Sequence, residues 1–235
     1  IEFAPGMDEG HKQLMTVFCF YTYCYHRFPV APYLCFTGGK GSGKTTAVSV
    51  LKQLVFNPIP VSAASEAYIF RRLDKMGGCL LYDEAEDLTR AFKESTDLWK
   101  MLLSGTKPGS PVGRCVGDDH RTKAFHVFGP KALASIKMLP DTLLSRCIST
   151  EMLRCDTKSK KADGKPDAVE HQDFWQSLRD RLYRVWLDHG QALRVLPTAE
   201  QVSPPALQAR EREVWLPLFQ MAKILEGLGV GGRLL

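Results

Sequence analysis

At 235 residues, with 44% hydrophobic and 24% charged residues, the chain is ordinary for a soluble protein and can bury one large core, alone or with a small appendage. Its seven cysteines are odd in number and form no C-x-x-C pair, which argues against a disulfide framework and for reduced thiols. The net charge of +5 is compatible with a nucleic-acid partner and does not demand one.

The chain begins at Ile1 rather than Met, as a piece of a longer protein would. The apolar stretch Leu14 to Tyr25 is too short to span a bilayer and dense in aromatics, so it reads as a core helix. Cys19, Cys24 and His26 lack a second ligand pair at zinc spacing and read as buried thiols beside a histidine. With no signal-peptide pattern, the expectation is a cytoplasmic protein without a membrane partner. Tyr33 to Phe36 is a buried strand and Thr46 to Phe56 has helical spacing. Asn57-Pro58-Ile59-Pro60 breaks the pattern, and Val61 starts a short strand. Ser62 to Lys75 opens with capping chemistry, continues as a helix and stops at Gly77-Gly78. Cys79 to Tyr82 is a compact strand, and Glu94 to Leu103 a helix stopped by Ser104-Gly105. Val112 to Val116 and Lys123 to Phe128 flank a polar tip at 117–121, the pattern of a β-hairpin. Ala132 to Ile136 is a strand after Gly129-Pro130. Residues 155–172 are charged and poor in apolar side chains, hence a loop. Helices over Asp173 to His189 and Pro205 to Leu228 close the chain, joined by Val195 to Pro205.

Between the first strand and the helix after it stands Gly38-Gly39-Lys40-Gly41-Ser42-Gly43-Lys44-Thr45, a full G-x-x-x-x-G-K-[ST] phosphate loop in its strand–turn–helix context. Glycines let the backbone N–H groups from Gly38 to Thr46 close around phosphates, and the helix N-terminus adds partial positive charge. Lys44 reaches the β- and γ-phosphates of ATP, and Thr45 offers its hydroxyl to Mg²⁺. Asp83 follows the strand Cys79 to Tyr82, where a carboxylate can hold Mg²⁺, and Glu84 can polarise an attacking water. Strands and helices alternating around a phosphate loop predict an α/β fold: a mostly parallel sheet sandwiched by helices. The chain divides into an N-terminal helical segment (1–30), a P-loop ATPase core (31–154), a charged loop (155–172) and a C-terminal helical lid (173–235).

These motifs resemble AAA+-type P-loop ATPases. More narrowly, the chain is similar to an ATPase family of phage, plasmid and integrative-element proteins, often found beside primase or helicase modules. The resemblance is carried by Pro32 to Leu54, Ser65-Glu66-Ala67-Tyr68-Ile69-Phe70-Arg71, Leu80 to Glu86, Leu103-Ser104-Gly105, Phe128-Gly129-Pro130-Lys131-Ala132-Leu133-Ala134, and Leu139-Pro140-Asp141-Thr142-Leu143 through Arg146. A weaker match runs from Ala209-Arg210 to Trp215-Leu216-Pro217-Leu218. The resemblance implies a ring, a hexamer, with Ser135 as a polar sensor beside the γ-phosphate. It implies that Arg146, in a Ser-Arg-Cys tripeptide like that of clamp-loader subunits, reaches a neighbour's nucleotide. Arg210, or Arg212 after it, stands where a second sensor arginine would; both equally fit a solvated charged helix face.

A hairpin inserted before the sensor strand lines the DNA channel in several helicases of this type. Here Arg114, His120, Arg121 and Lys123 could contact phosphates, although Asp118 and Asp119 sit among them and a plain surface hairpin fits equally. Lys107 and the lysines of 158–165 are weaker candidates. The implied function is a DNA helicase or translocase motor, with DNA and a primase or replication protein as partners. A protein-remodelling switch with the same chemistry is the alternative, and a small-molecule kinase is disfavoured by the adjacent Asp83-Glu84. No Asn-Lys-x-Asp motif is present for a GTPase, and Leu103-Ser104-Gly105 lies on the wrong side of Asp83 for a transporter ATPase signature.

Overall fold

A computed structural model of the chain describes residues 8–61, 65–85, 88, 93–94, 96–116, 121–154, 165–204 and 206–229. In chain order they form α1 (Glu9–Cys24), β1 (Tyr33–Thr37), α2 (Lys44–Leu54), β2 (Pro58–Pro60), α3 (Glu66–Met76), β3 (Cys79–Tyr82), α4 (Asp97–Ser104), β4 (Val112–Val116), β5 (Arg121–Phe125), β6 (Lys131–Ser135), α5 (Asp141–Leu144), β7 (Cys147–Glu151), α6 (Gln172–His189), α7 (Ala199–Val202) and α8 (Ala209–Gly227).

Five strands make one sheet in the order β2-β3-β6-β1-β7, and every pairing in it is parallel. β1 lies between β6 and β7, which explains its uninterrupted apolar sequence: both faces are covered. Alternate residues divide between two cores. Leu34, Phe36, Leu81, Ala132 and Ala134 pack with α1, α2 and α8 on one face. Tyr33, Cys35, Leu80 and Leu133 pack with α3 and α4 on the other. The mostly parallel, helix-sandwiched α/β sheet expected from the alternation of elements is what forms.

Several elements differ from the sequence expectation. The strand expected to start at Val61 is Pro58–Pro60 itself, while Val61 N–H donates to Leu81 O at 3.0 Å. Prolines are tolerated because β2 is an edge strand with one partner, and Ile59 between them is buried. β7 has no counterpart in the expectation. Its buried Ile148 and Thr150 alternate with exposed Ser149 and Glu151, too polar a pattern to stand out. β5 begins at Arg121 and stops at Phe125, and β6 starts one residue earlier than expected, at a buried Lys131. The connector 195–205 contains the one-turn α7, closed by a Thr198–Gln201 capping box. Residues 62–64, expected to open a helix, lie outside the described residues, and Ser65 caps α3 by accepting from Tyr68 N–H.

The segment expected as a lid (173–235), with the charged loop before it, contacts α1 and the C-terminal end of α2. Asp167 accepts from Gln53 Nε2 at 2.7 Å, and Arg179 donates to Gln53 O at 3.0 Å, both at the C-terminal end of α2. Leu218, Met221 and Leu225 of α8 share a core with Phe18 and Tyr21 of α1. Cys19 and Cys24 are buried and His26 is exposed, and among the described residues no cluster of His, Cys, Asp and Glu could hold a metal ion. No described helix is long and apolar enough to cross a membrane.

Candidate active site

The phosphate loop leaves β1 at its C-terminal end and delivers the chain into α2. Gly41 and Gly43 adopt φ of 78° and 90°, left-handed values that glycine reaches without steric cost. At Gly38, also with positive φ, a Cβ would lie 2.4 Å from Met152 O and 2.9 Å from Ser42 Oγ, so only glycine fits there. Met152, just past β7, thereby backs the loop, and its N–H donates to Thr37 O at 2.7 Å. Lys44 is 8% exposed; its Nζ donates to Gly38 O at 2.7 Å, Gly39 O at 2.9 Å and Ser42 Oγ at 3.4 Å. The ammonium is thus folded into the loop that carries it. Lys40 is exposed at the loop crest, and Thr46 is half-buried in the first turn of α2.

Asp83 and Glu84 follow β3 at the same edge of the sheet. Although β6 separates β3 from β1, Thr45 Oγ1 donates to Asp83 Oδ1 at 3.4 Å, so the two side chains expected to hold Mg²⁺ meet. Both are oxygen donors, the hard ligand type that Mg²⁺ takes alongside substrate phosphates. The left-handed loop glycines, the inward lysine and this oxygen pair fit Mg-ATP. Glu84 is exposed and stands at φ 60°, a strained value for a residue with a Cβ, and its N–H donates to Asp83 Oδ1 at 3.1 Å. That turn separates the two carboxyl-bearing residues and leaves Glu84 open to solvent. Ser135 ends β6 in register with Thr37, and is buried; its hydroxyl donates to Lys137 O at 2.7 Å.

Arg146 and Arg210 are elsewhere. Arg146 immediately precedes β7, whose first residue pairs with Tyr33 at the start of β1, so it stands at the opposite edge of the sheet from the loop. The length of β1 separates the two edges by roughly 16 Å at about 3.3 Å per residue. Its guanidinium donates to Leu103 O at 3.2 Å and to Thr142 O. Burial first, and Arg210 beside it second, lower its proton affinity from the usual arginine range. Arg210 Nε donates to Ser145 O at 3.1 Å, and its guanidinium pairs with Glu213, which also binds Lys107 at 2.5 Å. Arg212 donates to Leu207 O at 3.1 Å. Within one chain, neither Arg146 nor Arg210 is brought to the phosphate loop.

No protein-family model matches this sequence, and no curated protein matches it. Two solved structures of JCV helicase align with 94% of this chain, one at 16% identity with a TM-score of 0.35 and one, with a small acetamide compound bound, at 14% identity with a TM-score of 0.37. The chain spans 61% of the length of each. Likeness at that level carries no argument, and the site stands on its own geometry.

The hairpin cations are turned to the chain's own carboxylates. Arg114 pairs with Asp97 at 2.8 Å and lies over the Phe70 ring, and Lys123 pairs with Asp74 at 2.8 Å. Asp74 accepts from His126 N–H at 3.0 Å; that bond first, and Lys123 second, hold its carboxyl below the usual range. Arg121 begins β5, and His120 lies outside the described residues. Sequence reasoning missed Met152, because the signal for it is β7 itself, and that strand's polar alternation hid it.

Proposed function

We propose that the chain is the ATPase unit of an AAA+-type ring, a hexamer, that hydrolyses ATP with Mg²⁺. The ring would drive a DNA helicase or translocase in phage or mobile-element replication, beside a primase or another replication partner. The observation that supports this is the meeting of Thr45 and Asp83 at 3.4 Å across an intervening strand, at the end of the glycine loop. A structural loop needs no such convergence.

In this reading the loop N–H groups and Lys44 bind and orient the phosphates, with Lys44 exchanging its loop carbonyls for phosphate oxygens. Thr45 and Asp83 would hold Mg²⁺, which when bound would supply the positive charge that offsets charge developing on the phosphoryl oxygens. Glu84 takes the proton of the attacking water, and Ser135 orients groups beside it. Arg146 serves the nucleotide of the adjacent subunit, because its own lies at the far edge; Arg210, at Ser145, would serve that same neighbour. A lid role for 173–235 would need its contacts with Gln53 and Ser145 to open. The ion pairs of Arg114 and Lys123 favour leaving DNA contact to the hairpin tip, and they also keep a protein-remodelling switch as the second reading.

The test is the steady-state ATPase rate across protein concentrations, with and without single-stranded DNA, for wild type and Glu84→Gln. Cooperative dependence on concentration with DNA stimulation is expected, and Glu84→Gln should bind ATP while losing roughly 10²–10⁴-fold in rate. A DNA-independent rate moves the function to protein remodelling, and unchanged turnover in Glu84→Gln refutes the base assignment.

A further inference from the structure

Arg154 has no role in the motifs above, yet it lies at the loop. β7 is bonded to β1 along its length, and Met152 N–H donates to Thr37 O, which carries the pairing one residue past the end of β7. The chain therefore runs alongside the phosphate loop as it leaves the sheet. Met152 O sits against Gly38, and Met152 Cε would be 3.6 Å from a Cβ on Gly43. Arg154 comes next along the loop: its Nε would be 3.9 Å from a Cβ on Gly41. It is exposed, and among the described residues it has no hydrogen bond or ion pair. Lys44, by contrast, has its donors engaged by loop carbonyls.

We propose that Arg154 is a further phosphate-binding residue of this site, supplied by the same chain as the loop. This rests on the phosphate-loop reading and extends it. The chemistry is that of a guanidinium: a planar fork of N–H donors matched to phosphate oxygens. Even with Mg²⁺ bound, a triphosphate keeps more negative charge than Lys44 alone can balance, and Arg154 stands beside Gly41 in the middle of the loop. Met152, two residues before it, is anchored against the loop at Gly38, which brings Arg154 alongside Gly41. The strand β7 thus has an arginine beyond each end: Arg146 at the far edge of the sheet, and Arg154 at the phosphate edge.

The test is equilibrium binding of ATP, and of inorganic tripolyphosphate competing with it, to wild type, Lys44→Ala, Arg154→Ala and Arg154→Lys. Arg154→Ala should weaken both ligands by a similar factor, roughly 10- to 100-fold for one lost charge-assisted contact. Arg154→Lys should recover part of that loss, and thermal unfolding without ligand should match wild type. Unchanged ATP affinity in Arg154→Ala, with Lys44→Ala defective, overturns the proposal and leaves the phosphate-loop reading standing. Loss for ATP with none for tripolyphosphate also overturns it, since the contact would then be to the nucleoside. Failure of wild type to bind either ligand sinks the loop reading itself, and the proposal with it. If Arg154→Ala does not fold, Arg154→Lys decides: wild-type affinity for both ligands at doubled salt would show that Arg154 makes no phosphate contact sensitive to its geometry and would overturn the proposal.

Discussion

Lys131 is fully buried at the start of β6, donating to Gly129 O at 3.0 Å and Val127 O at 3.2 Å with its ammonium 4.6 Å from the centre of the Tyr33 ring. Two carbonyls and a ring face meet its donors, but removal from water dominates: burial, opposed by the Cys79 thiol, brings Lys131 down to about 7. The unfolded chain keeps that proton to about 10.5. Above about 7 the unfolded state therefore binds more protons than the folded one, and stability rises with pH. Cys19 and Cys24, pushed up to about 12 by burial, act in the opposite direction once unfolded thiols ionise near 9. The clean window is thus about pH 7 to 8.5, where denaturant unfolding should show a gain of up to about 1.4 kcal/mol per pH unit. Lys131→Met should flatten that slope, and an equal slope in the variant would exclude Lys131 as its source. Nothing in Gly-Pro-Lys-Ala announces burial of the lysine, since it precedes an apolar run where a strand end would meet solvent. The meeting of Thr45 and Asp83, on the other hand, was legible in the sequence, because a glycine loop between a strand and a helix and a strand ending in Asp-Glu fix where each of the two stands.

At the scale of elements, legibility followed apolar periodicity. α1, β1, α2 and β3 emerged within a few residues of their observed ends, each being a run with one dominant pattern. β2 and β7 did not, one disguised by two prolines and the other by polar alternation, and both are edge strands exempt from the demands of the interior. Missing β7 had a cost for the site, since both flanks of β1 determine what stands beside the phosphate loop. The β4–β5 hairpin was foreseen, but not its fastening. Asp74 of α3 receives both Lys123 and the His126 N–H, whereas Lys123 makes one half-exposed ion pair and lies 4.6 Å from the centre of the Phe125 ring. Asp74→Ala should therefore destabilise the hairpin more than Lys123→Ala does. The exposed pair is worth about 0.2–1 kcal/mol, and losing the charge-assisted bond from the exposed His126 N–H adds about 1 kcal/mol. Amide exchange across β4 and β5 reads the difference, and equal exchange in the two variants would show that the His126 bond holds nothing.

For the whole molecule, the decisive fact is that the arginine expected to act on the γ-phosphate and the loop that would hold it are at opposite edges of one sheet. The separation of roughly 16 Å along parallel strands is beyond a single arginine side chain, so Arg146 does not reach the phosphate loop of its own chain, and the proposed role is one on another subunit's nucleotide. Sequence motifs show that both parts are present and leave their distance open; the strand order and register supply it. The consequence is a complementation pattern. Arg146→Ala should bind ATP like wild type and hydrolyse it slowly, by roughly 10³–10⁵-fold if its arginine acts as trans-supplied arginines do in other phosphoryl-transfer enzymes. Lys44→Ala should fail to bind ATP while retaining its own Arg146. Mixed in equal amounts, the two inactive proteins create junctions at which an intact loop faces an intact Arg146, and ATPase activity should reappear. Activity that stays at the sum of the separate variants, with mixed oligomers verified by cross-linking, would mean that Arg146 does not work across the interface. Its bonds to Leu103 and Thr142 would then be its whole role, an arginine closing the end of α5 against α4.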